Sequence, residues 1–134
     1  MVANEIEYSL VCRTPEHEVT PAATSLGFGL LPWSPLGRGV LTGKYRHGIP
    51  SGSRAASTDF PGFAERFLDE QTARVADAVA MAARGLAAKP AEVALAWVRD
   101  RPGVAAPIVG ARTPAQLRSA LASLELTLPS EIVA

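Results

Sequence analysis

The sequence predicts an α/β fold built from three parallel strands with helices between them. Short apolar segments typical of buried strands alternate with segments of helical periodicity, and this alternation indicates parallel strands joined by helical crossovers. The 134 residues, 48% of them apolar, suit a single domain with its own core. A closed (β/α)8 barrel typically takes about 250 residues, so the pattern leaves two alternatives, a small open sheet or a piece of a larger barrel.

The first strand and the first helix are predicted near the N-terminus. Residues 2–11 are rich in the β-branched and aromatic types that strands favour. Thr20 and Pro21 predict a short helix over residues 21–26, because a hydroxyl can cap free N–H groups and proline fits the first turn. Gly27 predicts the end of that helix.

A second strand leads into a long loop. Residues 28–32, FGLLP, form the apolar run expected of a strand that is buried on both faces of a parallel sheet. Residues 34–63 are rich in glycine and proline, and a connection of that length in a compact domain is usually functional or disordered. Because the loop follows a strand, it lies where parallel α/β folds bind their ligands.

Two helices follow the loop. Apolar residues return at helical spacing from about Ala64 to Gly85, which predicts the first of them. The second is predicted to begin at Pro90, and its residues 93–98 are apolar almost all round. This second helix should therefore be buried on most sides.

The last predicted elements are a strand and a capped helix. Residues 104–110, VAAPIVG, predict a third buried strand. Thr113 predicts the cap of the final helix, with Pro114 in its first turn and Gln116 as the partner in a capping box. The tail after Leu124 is predicted to be peripheral.

Composition excludes several classes of function. The 13 basic and 13 acidic residues cancel, so no overall field attracts nucleic acid or an anionic membrane, and we expect neither as a partner. Apolar runs are far shorter than the roughly 20 residues of a membrane helix, and the first residues do not resemble a signal peptide. The single Cys12 cannot form an internal disulfide, so we expect a reducing, cytoplasmic setting.

Two strand-end segments could bind a phosphate group. The first, LPWSPLGRGVLTGKY, combines residues that permit close backbone approach with a hydroxyl and two cations: Pro35, Gly37, Gly39, Ser34, Arg38 and Lys44. The second, GARTPAQL, places Gly110 and Arg112 beside the start of a helix, whose positive dipole end favours anions. Neither matches a dinucleotide fingerprint or a P-loop, and a plain turn and a plain helix cap remain the alternatives. Trp33, directly after a strand, favours core packing over a stacking role.

Longer stretches of the chain resemble the aldo-keto reductase family. They occur in the family's order and spacing: EYSLVCRTPEHEVTPAATSLGFGLLPWSPLGRGVLTGKY, GSR, PAEVALAWV and PIVGARTPAQL. Members are (β/α)8 barrels that transfer hydride between NADPH and an aldehyde or ketone. The resemblance implies that residues 1–134 are the C-terminal portion of such a barrel, from about the sixth strand onward. It also implies NADP(H) as the cofactor and a small carbonyl compound as the substrate.

The resemblance assigns cofactor contacts to both segments. In the family, the aromatic at the position of Trp33 stacks on the nicotinamide, and the loop that follows wraps the pyrophosphate: Ser34, Pro35, Leu36, Gly37, Arg38 and Gly39. Lys44 and Arg54 match further cofactor contacts. The remaining positions resemble the pocket for the adenosine end, where a basic residue favours the 2′-phosphate: Gly110, Arg112 and Gln116.

The chain departs from the family at three further positions that contact the cofactor or lie beside such a contact. Glu5 stands where the family usually has a glutamine that hydrogen-bonds the nicotinamide carboxamide, and a carboxylate cannot donate as an amide does. Ala120 replaces a frequent asparagine that touches adenine, and Ser119 replaces an acidic neighbour. We therefore expect fewer contacts to adenine.

The family's catalytic tyrosine, lysine, aspartate and histidine come from the first half of the barrel. The resemblance therefore assigns no catalytic residue to this chain, and no metal ligand, and we expect the chain alone to be inactive. Tyr8 is expected to be structural, and His17 to be a solvated surface residue. The alternative function is a non-catalytic module that binds a nucleotide or a partner through an exposed sheet edge. The expected protein partner is the missing N-terminal barrel half or a second copy of the chain.

Overall fold

The structure is a computed structural model that describes residues 2–59 and 61–133. Its regular elements are, in chain order, β1 Ala3–Glu7, α1 Val19–Leu26, β2 Gly29–Trp33, α2 Glu70–Gly85, α3 Pro90–Arg99, α4 Pro114–Ala122 and α5 Ser130–Val133. Short 3₁₀ helices occupy Thr14–Glu16, Gly37–Thr42, Arg54–Ala56 and Glu65–Phe67. The fold is therefore α/β, as predicted, and most of its helices come after both strands in the sequence.

The two strands pair in parallel and give the sheet two different faces. Glu5 lies opposite Leu31, and Glu7 lies opposite Trp33. Because side chains alternate along a strand, these four residues share one face. The other face carries Leu30, which is fully buried. The sheet thus has a covered face toward the core and a second face that carries the candidate site.

The predicted third strand at residues 104–110 is wrong. Only an isolated bridge joins Val104 to Leu30, although the N–H of Ala105 donates to the Leu30 carbonyl at 2.9 Å and the N–H of Ile108 donates to the Pro32 carbonyl at 2.7 Å. Pro107 has no N–H to continue a ladder, and among the described residues no strand pairs with the outer edge of this segment. The segment therefore follows β2 as an irregular and mostly exposed edge.

The first strand and the first helix have different limits from those predicted. β1 ends at Glu7, because Ser9 and Cys12 exchange two backbone hydrogen bonds in a tight turn. α1 begins at Val19, and the buried hydroxyl of Thr20 has no hydrogen-bond partner in residues 2–59 and 61–133, so the predicted cap by Thr20 is wrong. The predicted end at Gly27 is confirmed, with a left-handed φ of 69°.

The later helices follow the sequence signals closely. α2 starts at Glu70 rather than near Ala64, because the Asp69 carboxylate accepts the N–H of Thr72 at 2.8 Å and caps it there. α3 starts at Pro90 as predicted, and all its residues from 93 to 98 are buried. These residues supply the centre of the core.

The start of α4 confirms one half of the predicted capping box. The hydroxyl of Thr113 accepts the N–H of Gln116 at 3.2 Å. The side chain of Gln116 does not return to Thr113, because its Oε1 accepts the N–H of Arg112 at 2.7 Å. The helix start thereby fixes the backbone of Arg112.

The tail is part of the core, and the prediction that it is peripheral is wrong. Leu128 is only 8% exposed and packs in the same cluster as Trp97. The indole N–H of Trp97 donates to the Val133 carbonyl at 3.3 Å, and Arg99 donates to the Leu126 carbonyl at 2.9 Å. Because α3 is apolar on most sides, other parts of the chain must cover it, and the tail provides part of that cover.

Within residues 2–59 and 61–133, no helix is both long enough and apolar enough to span a bilayer.

Candidate cofactor-binding site

The candidate site begins where β2 ends at Trp33. The Trp33 side chain is 37% exposed, so it does not fill the core, and the interpretation that favoured core packing is wrong. Trp33 also lines a groove of about 620 Å³ that Ile6 and Val19 border from β1 and α1. Glu5 lies on the same sheet face, one alternation before Glu7. An aromatic ring and a carboxylate thus share the open face of the sheet.

The glycine-rich loop turns sharply just after Trp33. Ser34 and Arg38 adopt left-handed φ values of 52° and 56°, and Gly39 adopts a φ of 98°. The N–H of Gly37 donates to the Ser34 carbonyl at 2.9 Å, and that of Gly39 donates to the Leu36 carbonyl at 2.9 Å. The loop therefore folds into two successive tight turns rather than an extended strand.

Glycine is required at two positions of these turns. A Cβ at Gly37 would lie 2.6 Å from a methyl carbon of Val11, and a Cβ at Gly39 would lie 2.7 Å from Nζ of Lys44. Real Cβ atoms do not approach other atoms so closely. The absence of a side chain at Gly39 leaves room for the Lys44 ammonium beside the backbone of the turn, where it lies 4.9 Å from the centre of the Tyr45 ring.

Arg38 points toward the sheet and not into solvent. Its Nε donates to Oε1 of Glu7 at 3.1 Å, and its Nη1 donates to the Phe63 carbonyl at 2.9 Å. The guanidinium carbon also lies 6.0 Å from the centre of the Trp33 ring and 5.2 Å from that of Phe63. Arg66 contacts the same Glu7 carboxylate from the surface. Two arginines therefore neutralise one carboxylate at the end of β1.

The second predicted segment contacts the long loop that follows the first segment. Nη2 of Arg112 donates to the carbonyl of Gly52 in the long loop at 3.3 Å. Arg54 lies two residues further along that loop, with its guanidinium carbon 5.1 Å from the centre of the Phe63 ring. A Cβ at Gly110 would meet no atom within 4 Å, so the surface there is open. The turn after residue 110 and the loop after β2 consequently border the same side of the molecule.

Two titratable groups near the site are held in their neutral forms. Burial is the main cause that raises the pKa of the Tyr8 phenol, and the hydrogen bond that its hydroxyl donates to Glu16 at 2.8 Å adds to it. Burial also raises the pKa of the Cys12 thiol, and the nearby Glu7 carboxylate acts in the same direction. The structural role expected of Tyr8 fits this environment. His17 is exposed, as predicted.

Sequence comparison assigns the chain to a family. The profile of the Aldo/keto reductase family matches residues 1–134. The chain belongs to the aldo/keto reductase family.

Several curated aldo/keto reductase relatives match most of this chain but only part of their own length. An uncharacterized oxidoreductase YrpG of Bacillus subtilis is 38% identical over 133 residues, which are 99% of this chain and 38% of that protein. The protein tas of Escherichia coli is 40% identical over 95% of this chain and 36% of its own length. A probable voltage-gated potassium channel subunit beta of Arabidopsis thaliana is 35% identical over 93% of this chain and 39% of its own length. The chain thus spans less than two fifths of the relatives named here.

Sequence reasoning missed three residues that lie around the candidate site. Glu7 receives both Arg38 and Arg66, and its position at a strand end was the available signal. Phe63 accepts a hydrogen bond from Arg38 through its carbonyl, which no sequence pattern indicates. Ser53 is 7% exposed, and its buried hydroxyl, next to Gly52 in the chain, has no hydrogen-bond partner among the described residues.

Proposed function

We propose that this chain is the cofactor-binding C-terminal part of an NADPH-dependent oxidoreductase that reduces aldehydes or ketones to alcohols. The observation that carries the proposal is the hydrogen bond from Arg112 to the Gly52 carbonyl. It joins the adenosine-end segment to the long loop, two residues before Arg54, and the N–H of Ile108 donates to the Pro32 carbonyl at 2.7 Å, so the chain just before Gly110 lies beside the start of the first segment. Separate turns on opposite sides of the molecule could not bind the same cofactor.

The residues at the nicotinamide end fit an aromatic ring. Trp33 is partly exposed and lies on the open sheet face with Glu5. Bound NADPH would supply the hydride, and the chain would hold the ring against Trp33. Because the carboxylate of Glu5 accepts but does not donate, it would bind the amide N–H₂ of the carboxamide rather than its oxygen.

The residues between the two ends fit a pyrophosphate. The tight turns after Trp33 allow close approach, and the Lys44 ammonium against Gly39 supplies a positive charge. The full proposed contact set is Glu5, Trp33, Ser34, Pro35, Leu36, Gly37, Arg38, Gly39, Lys44, Arg54, Gly110, Arg112 and Gln116.

The adenosine end fits a phosphate monoester. The backbone of Arg112 is held by Gln116 at the start of α4, so an anion bound there would also meet the positive end of the helix dipole. A planar guanidinium matches a phosphate group well. We therefore propose that Arg112 selects NADPH over NADH.

The acid for the reduction would come from the other part of the barrel. The hydroxyl of Tyr8 is committed to Glu16, and its raised pKa disfavours proton transfer near neutral pH. We accordingly propose that the chain alone is inactive, and that it works with the N-terminal barrel half in the cytoplasm. The single Cys12 is consistent with a reducing compartment.

A chimera tests this function. This chain replaces the matching stretch of the Bacillus subtilis relative, and NADPH-dependent reduction of a panel of aldehydes and ketones is followed by loss of NADPH absorbance. We expect NADPH binding and turnover by the chimera, and neither by the chain alone. A folded chimera that binds no NADPH would contradict the proposal. The unmodified relative is the positive control.

A second candidate is a non-catalytic module that binds a partner through its sheet edge. The observation that favours it is the exposure of Ile108 and Val109, which are 41% and 47% exposed on the irregular edge beside β2. Unpaired edges invite pairing with another chain. A chain that is soluble, monomeric and cooperatively folded, without NADPH binding in the chimera, would favour this candidate.

A further inference from the structure

We infer that Arg38 is a positioning residue, which through its ion pair with Glu7 holds the long loop and the ring of Trp33 in place for the cofactor. This inference rests on the proposed function, and it changes the role expected of the Arg38 side chain. From the sequence that side chain could neutralise a phosphate. In the structure its guanidinium is engaged by the protein itself.

The Glu7–Arg38 pair joins elements that are far apart in the sequence. Nε and Nη2 of Arg38 donate to the two carboxylate oxygens of Glu7 at 3.1 and 3.4 Å, a forked arrangement. Nη1 donates to the carbonyl of Phe63, at the far end of the loop, at 2.9 Å. One side chain therefore connects the end of β1, the start of the loop and the end of the loop.

The pair is well shielded from solvent. The side chain of Glu7 is 10% exposed and that of Arg38 is 20% exposed. Three aromatic rings, those of Trp33, Phe63 and Phe67, lie 6.0, 5.2 and 5.7 Å from the guanidinium carbon. An ion pair in such surroundings is weakly screened, and loss of one partner leaves the other charge uncompensated.

Arg66 provides a matched control within the same cluster. It also contacts the Glu7 carboxylate, but its side chain is 51% exposed and its ring contact is with Phe67 at 4.5 Å. The hydrogen bonds of Arg66 in the structure go to Glu7 and Cys12. If charge neutralisation of Glu7 were all that mattered, Arg38→Gln and Arg66→Gln should behave alike.

The test compares loop closure and cofactor affinity in the chimera described above. Trypsin cleavage after Lys44, Arg46 and Arg54 is followed by mass spectrometry, and NADPH affinity by Trp fluorescence, for the unchanged protein, R38Q, R66Q and E7Q. Arg74→Gln, a change on the exposed surface of α2, is the neutral control. Near-ultraviolet circular dichroism and thermal unfolding show whether each variant is folded at the assay temperature.

We expect R38Q and E7Q to cleave faster in the loop and to bind NADPH on the order of tenfold more weakly, as for loss of a charge-assisted hydrogen bond. R38K should recover part of the affinity, since it keeps the charge without the fork. R66Q should stay within about twofold of the unchanged protein, as surface pairs contribute little.

Three outcomes would overturn the inference. One is equal loop cleavage in folded R38Q and unchanged protein. Another is faster cleavage with unaltered NADPH affinity, and the third is an equal effect of R38Q and R66Q. Failure of the unchanged chimera to bind NADPH would instead count against the proposed function, and the cleavage rates would still decide whether the pair holds the loop.

Discussion

Replacement of Arg112 by alanine separates a phosphate-binding role from a structural one. In the structure Arg112 donates one hydrogen bond, to the neutral carbonyl of Gly52 at 3.3 Å, from an exposed position. That bond is long and joins two loops, so its loss should weaken both dinucleotides equally and by less than about 1 kcal/mol. An ion contact to the 2′-phosphate is available only with NADPH.

The expected size of the selective effect follows from the type of contact. A hydrogen bond to a charged group contributes about 1.5–3 kcal/mol, and each 1.4 kcal/mol corresponds to about tenfold in the dissociation constant. We therefore expect Arg112→Ala to weaken NADPH binding by roughly 10- to 100-fold. NADH binding should change less than about fivefold, the limit set by the Gly52 contact.

The assay is cofactor titration of the chimera by fluorescence, at two ionic strengths. Arg118→Ala, an exposed change on the same helix, controls for general loss of positive charge. R112K should retain part of the NADPH preference, because the charge remains while the planar fork is lost. Equal losses of affinity for NADPH and NADH would refute the assignment of the 2′-phosphate to Arg112. A loss of NADPH affinity of similar size in the Arg118 variant would show that the effect of Arg112→Ala is a general effect of charge.

Four further results are expected. Thr113→Ala should lower the free energy of unfolding by about 1 kcal/mol through loss of the helix cap, while T113S keeps it, as measured by denaturant titration; no difference between them would contradict the cap. The pKa of Glu92 is lowered, because hydrogen bonds from the Lys89 N–H and from the Ser119 hydroxyl, which donates at 2.8 Å, outweigh the effect of burial. The stability that ionised Glu92 contributes should be complete above the ordinary glutamate pKa and should be lost as the pH falls through the lowered pKa. Unfolding measurements on E92Q should lack this pH dependence. Cys12 should react slowly with iodoacetamide at neutral pH and faster as pH rises, because burial raises its pKa; a rate like that of free cysteine would argue against this. The chain alone should either self-associate through its open sheet face or lack fixed tertiary packing. A monomer in sedimentation experiments that also gives a sharp near-ultraviolet circular dichroism spectrum would contradict this.

Local signals were enough to predict some elements and not others. The end of α1 at Gly27 and the cap of α4 at Thr113 depend on one or two residues, and both are confirmed. The predicted strand at residues 104–110 is wrong because Pro107 removes a donor at the edge that faces β2, and in the described part of the chain no strand pairs with the other edge. The burial of Leu128 depends on Trp97, which lies far from it in the sequence.

The same distinction applies to the candidate site. Residue types and loop composition indicated which segments to consider, and Arg112 of the second segment contacts Gly52 in the long loop that follows the first. The partners of Arg38 could not be predicted, because Glu7 and Phe63 lie 31 and 25 residues away along the chain. Long-range ion pairs leave no periodic pattern, whereas a cap or a tight turn does.

The two faces of the sheet divide stability from function. The face with Leu30 packs into the protein, and the core beneath α2 and α3 supplies hydrophobic stabilisation, to which Leu36 of the proposed cofactor residues also contributes. The opposite face carries Glu5 and Trp33, and the loop above it is held by polar and aromatic contacts of Arg38 in addition to the burial of Val40 and Leu41. Changes in the site should therefore alter cofactor affinity with little loss of fold, which is what makes the Arg38 and Arg112 variants informative.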